Sequence, residues 1–301
     1  MVRVVSTSPL PGADPRIETP EQFIGVARCD LIDADALICL LLDRIDQTVL
    51  ARAPKLRVVA NCAVGYDNVD VAACTAAGVA VTNTPDVLTE ATAEFAWALI
   101  LAAARRLPEG EALARSGAWP GWRLDQLLGL ELIGKTLGIV GMGRIGRAVA
   151  RKAGAFGMTV ISAGARDDVD HLFATADVVS LHCPLTPSTR GMVSAARLAK
   201  MKPTAILVNT ARGALVEAGA LADALAAGRL FAAALDVYAH EPEIDRRLLD
   251  CPRLVLAPHI GSATTETRTK MAQLCIDAVT EVLAGRRPPH LVNPEVVIRH
   301  G

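Results

Sequence analysis

Short apolar segments rich in β-branched residues alternate with longer Ala- and Leu-rich segments along most of the chain. The short segments have the length and composition of buried strands. Because a helix-like segment separates successive strands, we expect parallel pairing, which needs a crossover between neighbours. The predicted strands are residues 2–5, 36–41, 57–61, 79–82, 136–140, 159–162, 178–182, 205–209, 232–237 and 254–257.

Two long helices are predicted around the second series of strands. Residues 89–107 read as one helix, with Thr89 able to cap it and no Pro or Gly before Pro108. Residues 108–132 contain several Gly and Pro residues and read as a looser connection. Residues 264–283 read as a final helix long enough to return the chain to the first series. The pattern therefore predicts an α/β protein with two doubly wound parallel sheets.

Length and composition fit this picture. At roughly 150 residues per domain, 301 residues correspond to about two domains. Lys and Arg total 31 against 32 Asp and Glu, and the chain has only five Phe, two Tyr and three Trp, which argues against nucleic acid as the main partner. Seven cysteines without a CxxC pair indicate reduced thiols in a cytoplasmic protein. No apolar run reaches the length of a bilayer span.

A glycine-rich motif follows the first strand of the second series. It fits GxGxxG and stands between a strand and a helix, the context in which this pattern indicates a dinucleotide site. Its glycines permit a tight turn, a close approach to a pyrophosphate and close packing of helix against strand. The helix N-terminus would face the phosphates. The motif comprises Gly141, Met142, Gly143, Arg144, Ile145 and Gly146.

The end of the next strand bears on the choice of cofactor. NAD sites usually carry Asp or Glu there, about 20 residues beyond the glycines, to bind the ribose hydroxyls. This chain has Gly164 at that point and Arg166 two residues later. Without a carboxylate to repel it, a 2′-phosphate could be bound by Arg166, so we expect NADP(H) to be favoured over NAD(H). The alternative is that Arg166 is an ordinary solvated loop residue.

Three polar residues follow three late strands. Arg212, Glu241 and His259 should meet at one edge of a parallel sheet, where open α/β sheets bind ligands. Arg212 can bind a carboxylate in bidentate fashion, and His259 can exchange a proton with a carbonyl oxygen. Glu241 can orient the imidazole and favour its protonated form. We therefore expect hydride and proton transfer between a cofactor and a carbonyl compound.

Each of these residues has a structural alternative when taken alone. Asp236, at the end of its strand, is a candidate partner for a nicotinamide amide, and a purely structural role fits equally well. No HxxxH or HExxH spacing predicts a metal site, and no GxSxG motif predicts a hydrolase.

These motifs carry a resemblance to a known family over nearly the whole chain. The segments NCAVGYDNVDVAA, VGMGRIGRAVA, LVNTARGALVEAGAL, ALDVYAHEP and LAPHIGSAT together resemble the D-isomer-specific 2-hydroxyacid dehydrogenases. Within that family, TNTPDVLTEATAE and the ending PPHLVNPEV look most similar to the glyoxylate and hydroxypyruvate reductases.

The resemblance implies Rossmann-like domains and a discontinuous substrate domain. Residues 1–98 would form its first part, 99–268 the NAD(P)-binding domain, and 269–301 a helix and tail that return to the substrate domain. Arg212, Glu241 and His259 would be catalytic, and Val64 and Gly65 would hold the substrate carboxylate together with Arg212 and His259. A homodimer is expected. Further cofactor contacts would come from Thr92, Cys183, Thr210, Ala211, Asp236 and Gly261.

The preferred interpretation is an NAD(P)H-dependent reductase of glyoxylate or hydroxypyruvate that forms the D-2-hydroxyacid. A dehydrogenase of another hydroxyacid, such as 3-phosphoglycerate, and a non-catalytic dinucleotide-sensing protein of the same fold are the alternatives. The connection after Gly164 is shorter than expected for the family, which bears on the adenosine end of the cofactor site.

Overall fold

The chain folds into two compact units. The computed structural model describes residues 2–12, 17–22, 24–164 and 167–298. One unit consists of Met1–Leu88 with Ala263–Gly301, and the other consists of Thr89–Ser262.

The described strands are β1 (Val4–Ser6), β2 (Ile17–Glu18), β3 (Ala36–Cys39), β4 (Val58–Asn61), β5 (Ala80–Thr82), β6 (Thr136–Val140), β7 (Thr159–Ala163), β8 (Val178–Leu181), β9 (Ile206–Asn209), β10 (Ala232–Leu235) and β11 (Leu254–Leu256). The described α-helices are α1 (Gln47–Arg52), α2 (Val71–Ala76), α3 (Thr89–Ala104), α4 (Leu107–Arg115), α5 (Arg144–Ala153), α6 (Val169–Thr175), α7 (Ala195–Leu198), α8 (Ala218–Ala226), α9 (Arg246–Leu249) and α10 (Thr265–Leu283).

The first unit contains a parallel sheet in the order β2-β1-β3-β4-β5. Alternate residues of β4 face opposite sides, because Val58 and Ala60 pack in one apolar cluster and Val59 in another. Buried residues of α10, including Cys275 and Val279, cover one face of the sheet. Thr264 caps α10 by accepting a hydrogen bond from the Thr267 N–H. The returning helix is therefore part of the core of this unit.

The second unit contains a parallel sheet in the order β11-β10-β9-β8-β6-β7. Ile206 and Val208 of β9 face one apolar cluster and Leu207 the other, so both faces are covered. The strand order reverses around β6, whose neighbours β7 and β8 follow it in sequence on opposite sides. In open α/β sheets, ligands bind beyond the carboxyl ends of the strands at such a reversal.

Helices α3 and α5 pack together on one face of this second sheet. The Trp97 indole donates a hydrogen bond to the Val149 carbonyl at 3.1 Å and stacks on Phe156 with ring centroids 4.3 Å apart. These contacts fix α5, which begins directly after the glycine-rich turn.

The predicted fold class is confirmed, because both sheets are parallel and carry helices on both faces. Two local expectations were wrong. The long helix ends at Ala104, and Arg106 takes a left-handed conformation with φ 53°. Pro108 then lies in the first turn of α4, where its missing N–H costs no hydrogen bond, so part of the loose connection is helical.

The second unit begins at Thr89 and ends at Ser262. The predicted domain limits at residues 98 and 268 lie ten and six residues beyond these bounds. The assignment of the units as substrate and nucleotide domains stays a prediction. All seven cysteines are free thiols. Within the described part of the chain, no helix is long and apolar enough to cross a membrane.

Candidate active site

The glycine-rich turn joins β6 to α5 under tight steric constraints. Gly141 has φ 97°, and a Cβ built on it would lie 2.6 Å from the Cys183 amide nitrogen. A Cβ on Gly146 would overlap the Gly141 carbonyl oxygen. A Cβ on Gly143, in contrast, would meet no atom within 4 Å. The turn therefore packs closely on its protein side and leaves open space at its middle glycine.

Two observations indicate that this region fits a dinucleotide. Among the described residues, no side chain caps the N-terminus of α5, so its positive dipole end is available to an anion beside the open space at Gly143. Thr210, directly after β9, has a buried hydroxyl oxygen with no hydrogen-bond partner among the described residues. A buried polar atom of this kind calls for a partner from outside the protein.

The end of β7 differs from the sequence-based expectation. We expected no carboxylate there, yet the Asp167 Oδ2 atom accepts a hydrogen bond from the Gly164 N–H at 2.7 Å. The Asp167 N–H also donates a hydrogen bond to the Gly164 carbonyl, so a residue three positions after the strand end lies beside it. Arg166, the predicted phosphate ligand, lies outside the described residues.

The predicted catalytic residues follow three neighbouring strands of the second sheet. Arg212 follows β9, Glu241 follows β10 and His259 follows β11. The His259 Nδ1 and Glu241 Oε2 atoms are 2.7 Å apart. A carboxylate only accepts hydrogen bonds, so Nδ1 is the donor and Nε2 remains for chemistry. The structure therefore brings His259 and Glu241 together.

The charges of this group depend on one another. Burial raises the pKa of Glu241, but the hydrogen bond and charge of His259, the Tyr238 N–H and the Arg212 charge together bring it below its ordinary value. The Tyr238 N–H donates to Glu241 Oε1 at 2.8 Å, so both carboxylate oxygens are engaged. Glu241 is therefore a fixed anion beside the imidazole.

Two residues that the sequence analysis did not identify shape the loops bearing these side chains. Buried Asn209 accepts from the Ala211 N–H and donates to the Arg212 carbonyl, which folds the turn that carries Arg212. The Tyr238 hydroxyl donates to the Ala257 carbonyl at 2.9 Å, just before His259. The position of a polar residue at the end of a predicted strand could have marked Asn209 and Tyr238 as candidates. The sequence does not show which groups they bond to.

Asp236 holds the turn that contains His259. Its two carboxylate oxygens accept from the Ile260 and Gly261 N–H groups at 2.8 Å each, and its carbonyl accepts from the His259 N–H. Burial raises the pKa of Asp236, and the two N–H donors oppose that shift. The structural role weighed for Asp236 is thus observed, and contact with a nicotinamide amide stays a prediction.

Several predicted cofactor residues lie beside these groups. Thr92 is buried in the first turn of α3, and a Cβ on Gly261 would lie 3.5 Å from its Cγ2 atom and 3.0 Å from Asp236. Cys183 lies against the glycine-rich turn, and the Ala211 carbonyl accepts a hydrogen bond from the Arg212 guanidinium.

The predicted carboxylate-binding residues Val64 and Gly65 belong to the first unit, in the loop that follows β4. Both are half-buried. Across the described ranges, no group of three or more His, Cys, Asp or Glu residues is arranged to hold a metal ion.

Known proteins resemble this chain in sequence and in structure. The model of the D-isomer-specific 2-hydroxyacid dehydrogenase NAD-binding domain matches residues 97–261. A glyoxylate reductase from Aeropyrum pernix is 50% identical over 283 residues, which cover 88% of this chain and 84% of that protein.

Solved structures are similar over almost the whole chain. The TT0316 protein from Thermus thermophilus is 46% identical, with a TM-score of 0.91 over 97% of this chain and 100% of that one. An NADPH-dependent glyoxylate/hydroxypyruvate reductase from Sinorhizobium meliloti, solved with NADP and malonate, is 31% identical, with a TM-score of 0.86 over 100% and 99% of the two chains.

The matched domain contains the glycine-rich turn and the strand ends that carry Arg212, Glu241 and His259. The chain therefore belongs to the D-isomer-specific 2-hydroxyacid dehydrogenases, oxidoreductases that act on a CH–OH group with a nicotinamide dinucleotide.

Proposed function

We propose that this protein reduces a small 2-oxoacid, glyoxylate or hydroxypyruvate, to the corresponding 2-hydroxyacid of D configuration where the product is chiral. The observation that carries the proposal is the 2.7 Å contact between His259 Nδ1 and Glu241 Oε2. These residues follow β11 and β10, and Arg212 follows the next strand of the sheet, β9. Similarity to a glyoxylate reductase over 88% of the chain supports the substrate class.

The side chains have distinct roles in this proposal. When bound, a reduced nicotinamide dinucleotide supplies the hydride. Arg212 binds the substrate carboxylate through its guanidinium fork and polarises the carbonyl oxygen. His259 donates the Nε2 proton to that oxygen as negative charge develops on it. Glu241 fixes the ring orientation and stabilises the imidazolium before transfer. In the first unit, Val64 and Gly65 bind the carboxylate through backbone N–H groups.

For the dinucleotide, we propose that the turn at Gly141, Gly143 and Gly146 receives the pyrophosphate and that NADPH is preferred over NADH. Gly164 places no side chain at the end of β7, and the similar enzyme from Sinorhizobium meliloti is NADPH-dependent. Arg166 would bind the 2′-phosphate. The Asp167 carboxylate acts against this preference, although the Gly164 N–H already engages one of its oxygens.

A homodimer is also part of the proposal. Large apolar side chains between α3 and β6 are exposed in the second unit, and their burial against a second copy would remove apolar surface from water. These side chains are Leu107, Trp119, Trp122, Leu124, Leu128 and Ile133.

The decisive experiment is an assay of the purified chain with a panel of 2-oxoacids and both NADH and NADPH. The panel contains glyoxylate, hydroxypyruvate, pyruvate and phosphohydroxypyruvate, and chiral chromatography identifies the hydroxypyruvate product. We expect the highest kcat/KM for glyoxylate or hydroxypyruvate and a D product. Dinucleotide binding without turnover of any member of the panel would instead support the sensing protein.

A further inference from the structure

The loop after β4 has three consecutive carbonyl groups, each held by a hydrogen bond from outside the loop. The donors come from β4 itself and from the segment after β5. The pairs are the Ala63 carbonyl with the Thr84 N–H at 2.9 Å, the Val64 carbonyl with Asn83 Nδ2 at 2.8 Å, and the Gly65 carbonyl with Asn61 Nδ2 at 2.8 Å.

The N–H groups of the same loop are in the opposite situation. Across the described residues, no carbonyl or side chain accepts a hydrogen bond from the Val64 or Gly65 N–H. Both residues are only half-buried, so these donors can reach a ligand. Successive free backbone N–H groups in a loop form an anion-binding concavity.

Planarity of the peptide bond links these two observations. The Val64 carbonyl and the Gly65 N–H belong to one trans peptide unit, in which they point in opposite directions. By holding the Val64 carbonyl, Asn83 therefore sets the direction of the Gly65 N–H. In the same way, the Thr84 N–H sets the direction of the Val64 N–H.

Asn61 is itself fixed in orientation. Its side chain is fully buried, and its Oδ1 atom accepts from Asn68 Nδ2 at 3.2 Å and from the Cys39 thiol at 3.6 Å. With Oδ1 occupied as an acceptor, Nδ2 must face the Gly65 carbonyl. Asn68 also donates to the Asp43 carbonyl at 2.9 Å, which anchors the network in the core of the first unit.

We propose that Asn83 is a positioning residue for substrate binding, because it orients the peptide unit whose Gly65 N–H receives the substrate carboxylate. Asn61 supports the same loop by holding the Gly65 carbonyl of the next peptide unit. The inference rests on the proposed function for the identity of the substrate. Asn83 is the better test position, because it is partly exposed whereas Asn61 is completely buried.

The experiment compares Asn83→Ala and Asn83→Asp with the wild-type chain and with Asn293→Ala. Asn293 is the control, since it is an asparagine of the same unit that donates to the Val79 carbonyl and accepts from the Val81 N–H rather than bonding to the loop after β4. The measurements are KM and kcat for glyoxylate, the Kd of oxalate and of NADPH by calorimetry, and Tm. Oxalate is a carboxylate probe that is not reduced.

Loss of the Asn83 amide should raise both the glyoxylate KM and the oxalate Kd by roughly three- to tenfold, the effect of one hydrogen bond. The kcat and the Kd of NADPH should stay close to wild type. Asn83→Asp should have the larger effect, because its carboxylate repels the Val64 carbonyl. Asn293→Ala should lower Tm without changing the oxalate Kd.

An unchanged oxalate Kd in both Asn83 variants would overturn the proposal, as would an equal rise in Asn293→Ala. Failure of the wild-type chain to bind oxalate would overturn the anion-binding loop itself. If the wild-type chain binds oxalate but does not reduce glyoxylate, only the proposed function is contradicted. The oxalate Kd values of the Asn83 variants would then still test the role of Asn83.

Discussion

His259 has an unusual backbone conformation for a side chain expected to exchange a proton. Its φ is 55°, in the left-handed region that non-glycine residues seldom occupy and that persists only where surrounding contacts enforce it. Asp236 supplies those contacts, with three hydrogen bonds to residues 259–261. The direction of the imidazole is thus set by the buried Asp236 carboxylate at the end of β10 and by Glu241.

Replacing His259 tests its role as proton donor. His259→Ala should lower kcat for glyoxylate reduction by roughly 10²–10⁴-fold, the usual contribution of general acid–base catalysis. The Kd of NADPH should change little. His240→Ala is the control, because His240 is an exposed histidine of the adjacent loop. Near-normal kcat in His259→Ala at neutral pH would contradict the assignment.

Arg212→Lys tests whether the guanidinium fork matters beyond its charge. Lysine keeps one positive charge but cannot bind a carboxylate through two parallel hydrogen bonds, so the glyoxylate KM should rise at least tenfold. The kcat should fall as well if the carbonyl is polarised by the same group. Arg229→Lys, an exposed site on the same unit, should behave as wild type. Equal KM values for wild type and Arg212→Lys would disprove the role.

The proposed preference for NADPH concerns two residues of opposite charge after β7, Arg166 and Asp167. We expect a higher kcat/KM with NADPH than with NADH, and Arg166→Ala should lower that ratio by about tenfold, the value of one charge-assisted hydrogen bond in a partly exposed site. Asp167→Asn should raise the ratio, because the carboxylate beside the Gly164 N–H repels a 2′-phosphate. Preference for NADH in the wild type, or a ratio insensitive to Arg166→Ala, would refute this proposal.

At the scale of elements, polar contacts link the loops after β10 and β11. Glu241 bonds both to the Tyr238 N–H of its own loop and to His259, while the Tyr238 hydroxyl bonds to the Ala257 carbonyl at the end of β11. Burial raises the pKa of Tyr238 to about 12, so the hydroxyl remains a donor throughout the physiological range. The geometry of the group formed by Tyr238, Glu241 and His259 therefore depends on the Glu241 carboxylate staying ionised.

The lowered pKa of Glu241 predicts a pH dependence of stability. A carboxyl whose pKa is lower in the folded state contributes stability above its unfolded pKa and loses it as pH falls through the folded pKa. The wild type should therefore exceed Glu241→Gln in unfolding free energy most clearly above pH 4.5, the ordinary value for Glu, and the difference should shrink below it. Denaturant titrations at several pH values measure this. A constant difference would show that the charge contributes nothing.

At the scale of the whole molecule, exposed apolar side chains are concentrated in the segment between α3 and β6. Trp122 and Leu124 are 79% and 80% exposed. Burial of such side chains against a second copy would remove apolar surface from water at both partners. This surface therefore supports the proposed homodimer.

Leu124→Glu tests the proposed dimer by placing a charge in the apolar surface. Light scattering should give a dimer mass for the wild type and a monomer mass, or a much weaker dimer, for Leu124→Glu. Ile32→Glu, at an exposed apolar position in the first unit, is the control and should leave the mass unchanged. A monomeric wild type, or a variant that dimerises equally well, would exclude this surface as the interface.

The sequence by itself was sufficient for features that depend on local pattern. Buried strands of a parallel sheet are continuous apolar runs, so ten of the eleven described strands were predicted, and only the two-residue β2 was not. The motif at 141–146 requires glycines for steric reasons that act within a few residues. Parallel order also predicted that Arg212, Glu241 and His259 follow strands at one edge, because carboxyl ends of parallel strands share an edge.

Only the tertiary structure shows the hydrogen bonds between residues that are distant in the sequence or that lie on different loops. The Asp167 carboxylate lies against the Gly164 N–H although three positions separate the two residues, and the pattern of residue types along the chain does not show this contact. The hydrogen bond from the Asn83 side chain to the Val64 carbonyl joins the segment after β5 to the loop after β4. The Asp236 carbonyl accepts from the His259 N–H, and these two residues are 23 positions apart in the sequence. Hydrogen bonds of this kind depend on distance and angle rather than on sequence spacing, so only the folded chain reveals them.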